Sequence, residues 1–249
     1  MKFKGFNEFK IHQVLSDNNY SVYEDAMKSI DALPVNEYGD EEGGLGSKIA
    51  NWLFVAPKIK RLMGQANQAR LTKVKIEADR DQAIRKYNQD FEADLDETRE
   101  HWKETIAKLK QQNKGKDNDA IEDKIDRFKR TLAEKLRDMK DAHKGEIEDI
   151  EDAFDRKMQA ADDDIDEIEK ECDELAGSNE YLNKIKRTVK LKGTIEADKA
   201  KMATASDTEA NTLADKVKRY KKELDVLASD IKDAIDKNKD DISWSQEQR

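Results

Sequence analysis

Cysteine is almost missing from this chain: Cys172 is the single one in 249 residues. No disulfide can form within the chain, and a reducing cytoplasm suits it. Histidine is equally sparse, and His12, His101 and His143 lie far apart in sequence. No Glu-x-x-His pair occurs, which removes the helical di-iron motif. No short-spaced Cys/His set is available for zinc. Long apolar runs are lacking too. The most apolar one, Ile49–Ala56, contains Asn51 and falls far short of the roughly 20 residues that cross a bilayer. Met1–Lys10 alternates Lys and Phe without the apolar centre of a signal peptide. Only two prolines and ten glycines interrupt the chain. Gly43-Gly44-Leu45-Gly46 follows no strand pattern, so it reads as linker and not as a phosphate cradle.

What the chain has in excess is charge. Charged residues make up 41% against 36% hydrophobic, well above the roughly 25% charged content of ordinary domains. That balance suits long helices with a narrow apolar stripe. Disorder is the rival explanation, but the stripe is too regular for it. Ile121, Ile125, Phe128, Leu132, Leu136, Met139, His143, Ile147, Ile150, Phe154, Met158, Ala161, Ile165, Ile168, Cys172 and Leu175 advance in steps of four and three. A strand alternates with a period of two and cannot use that spacing. Cys172 and His143 both lie on the stripe and read as packing residues.

The breaks divide the chain. Residues 1–46 form a small mixed region that ends in an acidic, Gly-rich linker. Within it, Ser21–Glu24 fits a capping box and Pro34 should stop the short helix that follows. Three long helices are expected at about 47–112, 118–176 and 179–242, with a polar tail over 243–249. Ser47 would cap the first, Pro57 kink or restart it, Asp119 and Glu122 cap the second, and Gly177-Ser178-Asn179 separate the second from the third. Each helix would be roughly 80–95 Å long at 1.5 Å per residue. The section from Lys192 to Ala210 is weakly apolar and contains Gly193, so it should be the least stable.

Charge predicts how the helices meet. Glu146–Leu175 carries fifteen acids and three bases, Ser47–Ile76 seven bases and no acid, and Asn183–Lys222 twelve bases and five acids. Folding at the two turns sets the acidic stretch between the basic ones. The expected fold is therefore all-α: an elongated antiparallel three-helix coiled-coil bundle with a small mixed N-terminal region. Each exposed ion pair contributes only about 0.2–1 kcal/mol, so charge selects the register while the apolar seam supplies most stability.

No catalytic constellation emerges, and neither a cofactor nor a metal is expected. Asp236, Asn238, Asp240 and Glu247 have calcium-loop spacing, but Asp241 stands where the turn requires glycine. With a net charge of −9, nucleic acid is not an expected partner. Aromatic residues are the candidate partner contacts: Phe3, Phe6, Phe9, Trp52, Phe54 and Trp244, because aromatics concentrate binding energy. Two non-enzymatic roles compete. In one, the chain is an assembly factor or scaffold whose termini carry recognition segments. In the other, Trp52 and its basic flank, Lys48, Lys58, Lys60 and Arg61, anchor a peripheral coiled coil at a membrane surface.

The opening, Met1-Lys2-Phe3-Lys4-Gly5-Phe6-Asn7-Glu8-Phe9, resembles the start of late virion proteins of T-even-type tailed bacteriophages. Acidic, Lys-rich, helical assembly factors of that group are similar in character to the rest of the chain; the baseplate hub assembly catalyst and the prohead core proteins are two of them. The resemblance implies a non-catalytic role in morphogenesis, with the hub favoured over the core. It implies other virion and assembly proteins as partners, in the host cytoplasm. The core reading implies self-association, and the membrane-anchored reading implies contact with the inner-membrane surface.

Overall fold

The computed structural model describes residues 6–33, 51–112 and 118–238. Among them every regular element is helical: α1 Phe6–Ser16, α2 Ser21–Asp31, α3 Asn51–Gln112, α4 Asn118–Ala176, α5 Glu180–Met202 and α6 Asp207–Lys237. Contacts divide the chain into two units, one of residues 1–75 with 158–249, the other of residues 76–157.

In the first unit the acidic end of α4 meets basic residues on both sides. Lys58 pairs with Glu171 at 3.0 Å and Lys73 with Asp162 at 2.5 Å. From α5, Lys190 reaches Glu169 at 2.6 Å and Lys186 pairs with Asp173. Rising residue numbers on one helix face falling numbers on the next, so these segments run antiparallel. Two apolar cores fill the unit. One joins Ile30 of α2, Trp52, Leu53, Ile59 and Met63 of α3, Cys172 of α4, Ile185 and Val189 of α5, and Ile231 of α6. The other joins Val14 of α1 and Tyr20 to Ile195 and Met202 of α5 and to Val217 and Leu224 of α6. At about 1.5–3 kcal/mol per fully buried aliphatic side chain, these cores outweigh the surface ion pairs.

The third long helix is not one rod. It breaks at Ala203–Ser206 into α5 and α6, and α6 returns antiparallel along α5, with Lys184 3.1 Å from Asp230 and Lys216 3.1 Å from Asp198. The physical reason is the weak seam. A straight helix would leave residues 192–210 with little to bury, whereas a fold-back packs both faces of α5. Ile185 and Val189 enter the first core and Leu191 and Ile195 the second. Ser206, extended at φ −64° and ψ 157°, starts α6, and Ser206 with Glu209 has the S-x-x-E spacing of a helix start. The section expected to be least stable is accordingly enclosed: Leu191, Gly193, Ile195, Ala197 and Asp198 are all buried.

Local signals behave unevenly. Gly177, at φ +50°, ends α4, and Asn179 caps α5 by accepting from the Leu182 N–H at 3.0 Å. Ser21, by contrast, is the first residue of α2 and not its cap, which is Tyr20 without a side-chain cap bond. Asp17 and Asn19 order that entry instead, accepting from the Asn19 and Ser21 amides at 3.2 and 3.3 Å. Pro57 neither stops nor restarts α3. It removes one amide donor, and the buried neighbours Leu53, Ala56 and Ile59 hold the helix through it. The expected cap at Ser47 and stop at Pro34 lie outside the described residues.

In the second unit α3 and α4 form an antiparallel hairpin. Trp102 packs edge-on against Phe128 with ring centroids 5.5 Å apart, and Arg80 lies 3.8 Å from Asp155. Only Leu95 and Ile125 are buried among its described residues. The remaining stripe, including Phe91, Trp102, Phe128, Leu132, Leu136, Met139, Ile147, Ile150 and Phe154, is half-buried.

Candidate functional site

Four of the six aromatic candidates can be placed. Phe6 and Phe9 belong to α1, whereas Phe3 and Trp244 lie outside the described residues. Trp52 is 3% exposed and stacks on Tyr181 with centroids 5.0 Å apart and planes 24° apart. Its indole Nε1 is buried and finds no hydrogen-bond partner among the described residues. A residue so placed is not presented to a surface, because the α3 start it belongs to is the apolar floor of the first core. Phe54 is half-buried beside it. Lys58 and Lys60 of the basic flank are engaged by Glu171 and Asp31.

Three polar constellations were not legible in the sequence. The first knits α3, α4 and α5 together. Asn67 donates to the Val189 carbonyl at 2.7 Å and accepts from Arg70 at 2.6 Å. Arg70 in turn pairs with Glu169, which also holds Lys190. Burial lowers the Arg70 pKa and the Glu169 carboxylate opposes that shift. Asn67, Arg70, Glu169 and Lys190 all have partners within this set, so the node is structural cement.

The second gathers around Tyr20. The ammonium groups of Lys192, Lys221 and Lys199 lie 4.0, 5.2 and 5.5 Å from its ring centroid, an arrangement stabilised by the negative ring face. Lys221 sits where the α6 seam would place an apolar residue, and it pairs with Asp17 at 2.5 Å. Lys199 donates to the Asp17 carbonyl at 2.6 Å. Burial and then neighbouring Lys221 lower the Lys199 pKa, while burial and then Glu196 push the Tyr20 phenol up to about 12. A cleft of about 90 Å³ lies between Gln13, Asp17, Lys199, Lys218 and Lys221. Its volume is that of a few waters, and the Lys199 and Lys221 amines are already occupied by Asp17 and Asn18.

The third lies in the hairpin. His143 is sandwiched between Tyr87 at 5.0 Å and Phe91 at 3.9 Å, with planes 6° and 19° apart. Its Nε2 is buried without a partner among the described residues. Tyr87 donates to Glu146, and that bond first, then burial, pushes its phenol up to about 12. Cys172 is fully buried, and burial raises its thiol to about 11.

No group of three or more His, Cys, Asp or Glu side chains among the described residues is arranged to hold a metal ion. Asp240 and Glu247 of the calcium-like spacing lie outside those residues, and Asn238 donates instead to the Ala234 carbonyl at 2.7 Å. Of the described helices, none is long and apolar enough to cross a membrane. Comparison with protein-family models, curated proteins and solved structures returns no match.

Proposed function

We propose that this chain is a non-enzymatic assembly factor or scaffold that works through its long helices, in tailed-phage morphogenesis, at the baseplate hub in preference to the prohead core. The observation that carries the reading is the hairpin of residues 76–157, in which two long helices bury only Leu95 and Ile125 among the described residues. A catalytic domain surrounds a pocket with its core; here residues 76–112 and 118–157 offer helix surface to other chains. Residues 51–75, 158–176 and 180–202 supply the antiparallel three-helix element of the same reading, packed in coiled-coil fashion around the acidic stretch of α4. The opening residues and their resemblance supply the phage context, and host cytoplasm follows from it. The membrane-anchor alternative loses ground, because Trp52 would have to leave its stack on Tyr181 to reach lipid.

The test uses purified baits. Immobilised full-length chain should retain baseplate hub subunits of a T-even-type phage and pass prohead core protein. Retention of neither bait by the full chain sinks the phage reading. Flotation with anionic vesicles would revive the membrane one.

A further inference from the structure

We infer that the hairpin of residues 76–157 is a self-association surface: a second copy of this chain lays its own hairpin on it, tip beside tip, to make an antiparallel four-helix bundle. This deepens the scaffold reading and rests on it.

Two helices alone enclose few bulky side chains: Leu95 and Ile125 among the described residues of the hairpin. The stripe of α4 (Phe128, Leu132, Leu136, Met139) and the facing stripe of α3 (Phe91, Trp102) remain half-buried throughout. The first unit, built from the same kinds of residue, closes off Ile59, Met63, Ile185, Ile195, Leu224 and Ile231 completely. A second pair of helices would do the same for the hairpin. Helices of about 37 residues are about 55 Å long, and a two-helix face is about 20 Å wide. That gives roughly 1,000 Å², above the roughly 800 Å² each partner buries in a stable complex.

Charge selects the occupant and its orientation. Residues 90–104 of α3 carry seven acids and two bases, while residues 124–144 of α4 carry eight bases and four acids. These two stretches lie opposite each other, as Trp102–Phe128 and Phe91–His143 show. Lys124 and Lys135 flank one side of the α4 stripe and Lys129 and Lys140 the other, all exposed. Asp90, Asp94 and Glu97 flank the α3 stripe and are exposed as well. The ion pairs Arg99–Asp96, Lys103–Glu100, Lys129–Asp126 and Arg137–Asp141 in this stretch each stay within one helix. The face is therefore self-complementary across a two-fold axis along the hairpin, which sets α3 of each copy over α4 of the other. It also makes every neighbouring helix pair antiparallel. A two-fold axis across the hairpin would set α3 on α3, acid against acid, and like charges in register repel.

The experiment uses the full chain. Light scattering should give twice the 28.7 kDa chain mass. A spin label at exposed Gln112 (Gln112→Cys) reports on the tip, since buried Cys172 stays unlabelled. Side-by-side tips should lie within about 20 Å, against about 55 Å for head-to-tail overlap. Reversal of the four flanking lysines (K124E, K129E, K135E, K140E) should give a monomer. Adding D90K, D94K and E97K to that variant should restore the dimer, even if the first variant is poorly folded. A single-chain mass across the micromolar range, a tip separation near the hairpin length, or a folded lysine-reversed variant that still dimerises would each overturn the proposal. A monomer that still retains hub subunits overturns the dimer alone and leaves the scaffold reading intact.

Discussion

Gly193 of α5 lies directly against the Asn67 side chain of α3, so closely that a β-carbon on Gly193 has no room. Asn67 cannot step aside freely, because it is bonded to the Val189 carbonyl and to Arg70. G193A should therefore destabilise the fold by about 1–3 kcal/mol, the range for overpacking, despite alanine's better helix propensity. Gly145 on α4 has open space around it. G145A should stabilise by about 0.5–1 kcal/mol. Opposite signs in urea unfolding check the pair; equal signs would contradict the close approach.

The Arg70–Glu169 pair predicts a cycle. Removing one partner, as in R70M, leaves Glu169 and Asn67 short of a donor and should cost about 1–3 kcal/mol. Replacing both, as in R70M with E169L, should recover much of that loss, because the desolvation cost leaves with the charges. A double variant weaker than the sum of the singles would contradict it.

Caps offer a contrast of their own. N179A removes the acceptor for the Leu182 amide and should cost about 1 kcal/mol. Ser206 caps α6 without a side-chain bond, so S206A should cost a few tenths at most. Thermal unfolding of the two variants ranks them.

Acid should loosen the junction between α1 and α2. The Asp17 pKa is lowered chiefly by its hydrogen bond to Lys221. Its contribution is present above the unfolded carboxylate range, near 4, and is lost as pH falls through the lower folded value. Wild type should exceed D17N in melting temperature at neutral pH, and the difference should vanish in acid. A gap that persists at pH 2 would contradict the assignment.

Reactivity should follow burial. Cys172, with its thiol pushed up to about 11, should resist a thiol reagent at pH 8 in the native chain and react at once in denaturant. Tyr20, Tyr23 and Tyr87, each raised to about 12, should ionise in the native chain only well above the ordinary phenol range near 10. Absorbance near 295 nm reads this directly.

Much of the helical layout is visible in spacing and sign alone. The stop at Gly177, the helix start at Asn179 and the pairing of Asp162–Glu174 with basic neighbours depend on residues close in sequence or on blocks of charge, and all survive as found. The α5–α6 break was harder to see, because Ser206–Glu209 is a short signal inside a segment of good helix formers. Trp52 carried an ambiguous one: an aromatic beside lysines looks the same whether it faces lipid or a core. The Tyr20 and His143 constellations left no trace, since their members come from different helices and meet only after folding.

The sequence by itself determined that the chain is helical and that one negative stretch has two positive ones to pair with, because period and charge are properties of neighbouring residues. Only the tertiary structure decided that the last helix doubles back, that Gly193 marks a close approach, and that Trp52 lies inside. Those outcomes turn on which surfaces meet, and apolar burial over long range settles that after the local pattern is satisfied.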